Sequence, residues 1–201
     1  MAKLIFLDID GVLNSSNYTL SQYADQKNEY RDPVQSLDSN ALKLLKMVVA
    51  ETKADIVISS TWRKEFTIPE LKTIFAEAGW PDIPVIGYTP ATIKNFRGEE
   101  VAQFLDLFTQ DNDLDGFVII DDSSDYYIGD DLDASFRFNQ PLVLTDARIG
   151  FCYKDVLGVF YYLCPEHPLV SYLKEEVNFK SKVSVPQPWI TSQAFGLTHD
   201  M

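Results

Sequence analysis

The amino-acid sequence predicts an α/β fold, a mainly parallel sheet with helices packed against it. Three observations lead there. Short apolar runs stop abruptly at polar residues, as the doubly buried strands of a parallel sheet do. Stretches with apolar residues at helical spacing lie between them. The two kinds of segment alternate, which is the pattern of βαβ units.

The elements follow in order. Leu4–Leu7 is the first buried strand and ends at Asp8. Residues 14–36 are polar and aromatic without a period, so they are expected to form a flap or minimal cap. From Leu37 to Val49, the residues Ala41, Leu42, Leu44, Leu45, Val48 and Val49 fall at helical spacing, with Asp38 or Ser39 as N-cap. Ile56–Ile58 is the second strand, ending at Ser59-Ser60-Thr61. Thr67-Ile68-Pro69-Glu70 reads as a capping box, and Gly79 closes that helix. Pro84–Ile86 is the third strand. Arg97 or Gly98 opens a helix carrying Val101, Phe104, Leu105 and Phe108. Phe117–Ile120 is the fourth strand, ending at Asp121-Asp122, and Leu142–Leu144 is the fifth. Residues 151–179 read as helical, and the segment with Pro186 and Pro188 as an extended tail. The expected organisation is a core over 1–164, with 165–201 as a C-terminal helix and tail.

Composition narrows the function. The 201 residues are 46% hydrophobic, enough for one substantial core and too much for a disordered chain. No stretch reaches the roughly 18 apolar residues of a membrane span, and the opening apolar run is too short for a signal peptide, so no membrane is expected. Two cysteines, Cys152 and Cys164, make no disulfide framework and point to a cytoplasmic location. The net charge of −13 argues against an extended nucleic-acid groove, which needs many Lys and Arg contacts. Asp106 through Asp133 holds ten aspartates and no Lys or Arg, a solvated face or the surround of a cation.

In an open α/β sheet, ligands bind at the carboxyl ends of the strands. Three apolar runs end there in residues suited to phosphate chemistry: Asp8 with Asp10, Ser59 with Ser60, and Asp121 with Asp122. At this point the residues resemble a known family. Leu4-Ile5-Phe6-Leu7-Asp8-Ile9-Asp10-Gly11-Val12-Leu13-Asn14 is similar to motif I of the haloacid dehalogenase (HAD) superfamily of phosphohydrolases. Ser59 resembles motif II, Arg97-Gly98-Glu99-Glu100-Val101 motif III, and Ile119-Ile120-Asp121-Asp122 followed by Asp125 motif IV. Together with Ser59-Ser60-Thr61-Trp62-Arg63, the set looks most like the small HAD domains of RNA-repair and phage proteins. The resemblance implies a Rossmann-like three-layer α/β/α core.

It also implies roles that the residue types suit. Asp8 is the expected nucleophile, forming an aspartyl-phosphate. Asp10, about 6.6 Å further along the chain and on the same side, is the expected proton donor and then base. Magnesium is the expected cofactor, held by Asp8, the Asp10 carbonyl and Asp121, with Asp122 or Asp125 orienting its waters. Ser59 or Ser60 and Arg97 or Lys94 are expected to bind the phosphoryl oxygens, with Arg97 favoured because it directly precedes Gly98 at the helix start.

About 25 residues separate motif I from the next helix, too few for a full cap, so the site is expected to be nearly capless and open to a bulky substrate. A nucleotide or nucleic-acid end qualifies. Trp62 and Arg63 are candidate substrate contacts, and Tyr18, Tyr23 and Tyr30 of the flap offer further stacking surfaces. Two other readings exist. Asp111–Asp122 matches an EF-hand calcium loop, except that position 12 is Asp and no exiting helix follows. A HAD-like module that binds a phospho-ligand without turnover is the other, and the intact Asp8/Asp10 pair argues against it. His167 and His199 are expected to pack or face solvent, and Lys174, Lys180 and Lys182 to form a solvated face.

Overall fold

The computed structural model describes residues 1–23, 32–91, 96–124 and 141–171. Five strands form one parallel sheet: β1 (Ala2–Leu7), β2 (Asp55–Ile58), β3 (Val85–Tyr88), β4 (Leu114–Asp121) and β5 (Leu142–Leu144). Their order is β3-β2-β1-β4-β5, and every pairing is parallel. β1 therefore sits centrally, with the chain leaving to one side through β2 and returning on the other through β4. This is the point where strand order reverses, and the crevice it opens lies at the carboxyl ends of β1, β2 and β4.

The alternation of side chains along β1 sorts the core into two layers. Ile5 and Leu7 join Ile56, Ile58, Val118 and Ile120 beneath α3 (Ser39–Thr52), α4 (Ile68–Glu77) and α6 (Tyr153–Leu163). Leu4 and Phe6 join Val57, Phe117 and Ile119 beneath α5 (Arg97–Phe108). Phe6 meets Phe104 and Phe117 edge-on, with centroids 5.6 and 5.8 Å away. The expected three-layer α/β/α core is what the chain forms.

The helix boundaries follow local chemistry. Asp38 caps α3 by accepting from the Asn40 amide at 2.8 Å, which settles the choice between Asp38 and Ser39. Thr67 and Glu70 make the reciprocal capping box of α4. Gly79, with φ +103, turns the chain out of that helix into a conformation costly for any other residue.

The 14–36 segment, expected as a flap or minimal cap, carries α1 (Ser16–Tyr23) and the short α2 (Pro33–Ser36), residues 24–31 lying outside the described set. α1 has no apolar stripe, and non-local contacts hold its start: the Ser16 and Asn17 amides donate to the carbonyls of Ala147 and Arg148. Three other expectations need correction. β4 begins at Leu114 rather than Phe117, because Leu114 and Gly116 pair with Ala2 and Lys3 of β1. Most of the EF-hand-like stretch is thus extended strand and cannot wrap an ion. Asp111 and Asn112 instead close the preceding helix, bonding to the Phe108 carbonyl.

The expected 151–179 helix stops at Leu163, since Pro165 follows its C-cap, and Pro168 opens a separate helical stretch whose described residues are 168–171. Cys152 and Cys164 are half-buried and flank α6 at its two caps. His167 packs, its ring stacked on Phe160 at 4.1 Å. No helix of the described residues is long and apolar enough to cross a membrane. Tyr30, His199, the tail with its two prolines and Lys174, Lys180 and Lys182 lie outside the described residues.

Candidate active site

The carboxyl ends of β1 and β4 bring Asp8, Asp121 and Asp122 together. Each offers a carboxylate oxygen, and these lie within 4.8 Å of one another. Asp8 is 2% exposed and Asp121 is fully buried. The Asp8 amide donates to the Ile120 carbonyl at 3.0 Å, so the parallel ladder itself fixes the distance between the two strand ends. Gly11 makes the close approach possible. It has φ +76, and a Cβ there would lie 2.4 Å from Asp122 Oδ2.

Burial of negative charge shapes the chemistry. Desolvation, then the Asp121 charge, pushes Asp8 up from the ordinary carboxylate range to about 7. The Arg97 guanidinium opposes this, and the Ser60 hydroxyl beside it does so more weakly. Arg97, the first residue of α5, bonds Asp121 Oδ2 and lies 3.6 Å from Asp8 Oδ2. Asp121 Oδ1 accepts from the Ser123 amide at 2.7 Å, which orients its carboxylate. Asp8 Oδ1 is buried with no hydrogen-bond partner among the described residues. A native protein rarely leaves such an oxygen unpaired unless a ligand completes it. Three clustered carboxylates and an orphaned oxygen suit a hard divalent cation that takes oxygen ligands.

The end of β2 adds a second orphan. Ser59 Oγ is buried and has no partner among the described residues, while Ser60 Oγ accepts from the Trp62 amide at 3.4 Å and caps the 3₁₀ helix Thr61–Lys64. The two serines thus differ: one hydroxyl is committed to backbone and the other is not.

Asp10 stands on the exposed side of the crevice. Its Oδ1 accepts from Asn14 Nδ2 at 2.6 Å and from Trp62 Nε1 at 3.2 Å. Asn14 also accepts from the Gly11 amide at 2.9 Å, so one side chain ties the turn and the carboxylate together. Asp10 does not join the side-chain cluster of Asp8, Asp121 and Asp122.

Trp62 and Arg63 part ways. Trp62 lines an open cavity of about 580 Å³ with Asp10, Asn14, Glu65 and Phe66. Arg63, expected at the substrate, turns inward instead. Its guanidinium bonds the Ser59 carbonyl, the Ser60 carbonyl at 3.0 Å and Glu100 Oε2 at 2.6 Å. Its side chain is 8% exposed and that of Glu100 1%. The buried pair therefore fastens the end of β2 to α5. Lys94 and Asp125 lie outside the described residues.

Sequence reasoning passed over Asn14 and Glu100. Asn14 sits four residues after Asp10, and one turn of backbone brings it back. Glu100 follows Arg97 by three positions on one helix, a spacing that places the two side chains as neighbours.

The family model described as the HAD domain in Swiss Army Knife RNA repair proteins matches residues 4–156. No curated protein and no solved structure gives a significant match. The matched span runs from β1 into α6 and takes in every strand end just described. On that match, the chain belongs to the HAD domain family of Swiss Army Knife RNA repair proteins.

Proposed function

We propose that this chain is a magnesium-dependent phosphomonoester hydrolase that works through an aspartyl-phosphate on Asp8 and acts on a terminal phosphate of a nucleotide or polynucleotide. Family membership supports the hydrolase class, and the family's printed description supports the nucleic-acid end. The observation that carries the reading is Asp8, buried with an unpartnered oxygen between Asp121, Asp122 and Arg97.

Asp8 attacks phosphorus as the bond to the leaving oxygen breaks. Asp10 gives its proton to that oxygen and so becomes a carboxylate. It then takes a proton from water, which attacks phosphorus, and inorganic phosphate leaves with Asp8 restored. Ser59 Oγ donates to a phosphoryl oxygen and Arg97 offsets its charge. Ser60 is the weaker candidate, since its hydroxyl is already engaged. Asp8, Asp121 and Asp122 are the side chains that hold magnesium, which when bound neutralises carboxylate and phosphate charge so that the two can meet. Residues 1–164 form the catalytic core, a reading supported by α6 packing on α3 and β4, and Val170 joins that core from just beyond it.

The acidic balance limits contact to the chain end. A net charge of −13 repels a long polyanion, so the reading is of one terminal phosphate and very few further phosphates. Turnover of p-nitrophenyl phosphate with magnesium, and its loss in Asp8→Asn, is the first test. Substantial residual turnover in that variant removes Asp8 as nucleophile. No turnover by the native chain over a broad phosphomonoester panel turns the reading toward a binding module.

A further inference from the structure

We infer that the cavity beside Asp10 is a leaving-group subsite for one nucleoside, whose base stacks on Trp62 and which excludes a second phosphate. This deepens the proposed function and rests on Asp10 as the group that meets the leaving oxygen. Position is the first argument. The cavity opens at Asp10, and the Trp62 indole N–H bonds Asp10 Oδ1 at 3.2 Å. The ring that walls the cavity is therefore tied to the carboxylate that would protonate the leaving group. Size is the second. About 580 Å³ lies within the roughly 300–1,000 Å³ of small-molecule sites, room for a nucleoside and not for a duplex.

Chemistry is the third argument. Trp62 and Phe66, with ring centroids 5.4 Å apart, make an aromatic wall on which a flat base can lie. Ser16, Thr19 and Glu65 face the same space and can pair with the polar edge of a base, which a plain phenyl ring would leave unmatched. Among the described lining residues there is no Lys or Arg, and Asp10 and Glu65 are both acidic. A second phosphate would meet the like charge of Asp10 and Glu65, which no cation among the described lining residues offsets. Arg97 does not supply it, because it is bound at Asp121 and beside Asp8.

The test joins binding to turnover. Adenosine, which carries no phosphate, is titrated into the ¹⁵N-labelled full chain while the Trp62 indole N–H resonance is followed, the signal being assigned by its loss in Trp62→Phe. The resonance should shift saturably. In parallel, KM for adenosine 5′-monophosphate should lie about tenfold or more below that for ribose 5-phosphate, the worth of one stacked base. Trp62→Leu should bring the two together. Adenosine 3′,5′-bisphosphate should bind no tighter than the monophosphate. An unmoved indole signal at millimolar adenosine, or equal KM values in the native chain, overturns the subsite. Tighter binding of the bisphosphate overturns the exclusion. Turnover of p-nitrophenyl phosphate tells whether the proposed function stands, while adenosine binding reports on the subsite whether or not there is turnover.

Discussion

Replacing Arg63 with Met keeps much of the side chain's length and removes its charge. In the native fold the guanidinium satisfies two backbone carbonyls, of Ser59 and Ser60, and the carboxylate of Glu100, which is 1% exposed. Arg63→Met takes the positive partner away from that buried carboxylate. Breaking a buried pair from one side costs about 3–5 kcal/mol. A domain of this size has only about 5–15 kcal/mol in all, so the variant should be severely destabilised. Urea unfolding reads this as a fall in midpoint at unchanged m. Adding Glu100→Gln should recover a large part of the loss, because the buried charge then disappears along with its missing partner. Arg63→Lys should recover less, since an ammonium cannot reproduce the fork that reaches Glu100 and the two carbonyls together. A loss below about 1 kcal/mol in Arg63→Met, or no recovery in the double variant, would refute the buried clamp.

Three further outcomes follow from the same geometry. Ser59→Ala removes a buried hydroxyl with no partner, so urea stability should hold or rise by up to about 1 kcal/mol while KM for phosphomonoesters rises; lower stability with unchanged KM would contradict this. Asp8 sits near 7 in the folded chain, above its unfolded value, so it binds its proton more tightly when folded. The stability it confers is full below about pH 4 and is lost as pH climbs through 7. At 1.36 kcal/mol per unit that is on the order of 4 kcal/mol at most in chelator. Asp8→Asn should flatten the profile and magnesium should relieve the loss; an equal slope in the variant would remove Asp8 as its cause. Gly11→Ala forces a left-handed residue and a Cβ against Asp122, so it should cost at least about 1 kcal/mol and weaken magnesium binding; native magnesium affinity in calorimetry would show that Asp122 is not where the turn places it.

How much was legible in the sequence depended on range. The strand ends were legible because a doubly buried strand must be apolar and must stop where its residues turn polar, as at Asp8, Ser59 and Asp121. The capping box of Thr67 and Glu70 was legible because all its partners lie within four residues. Arg63 was misplaced because its partner is 37 residues away, and only the pairing of β2 with β1 and the docking of α5 bring the two together. A cation near a candidate phosphate site reads the same whether it faces substrate or core. α1 was illegible for a related reason: the loop after β5 satisfies its first amides, and no apolar stripe announces it. The β4 start was obscured by Asp115 and Gly116, poor strand formers: Gly116 pairs with Lys3 of β1, and Asp115 is the extra residue where the register shifts. At the site, the DxD pattern named Asp8 and Asp10. It did not show that Asn14 and Trp62 both bond Asp10 Oδ1.

The account turns on Asp8 carrying the phosphoryl group, and trapping that species tests it most directly. Asp10→Asn should slow the water step more than the attack when the leaving group is good, because departure then needs little acid help. Radiolabelled p-nitrophenyl phosphate is mixed with magnesium and this variant, then quenched in acid within milliseconds. The account predicts label bound to protein, approaching one per chain, released by hydroxylamine, and mapped to the peptide containing Asp8. Steady turnover with no protein-bound label, or label on a peptide that lacks Asp8, would contradict it.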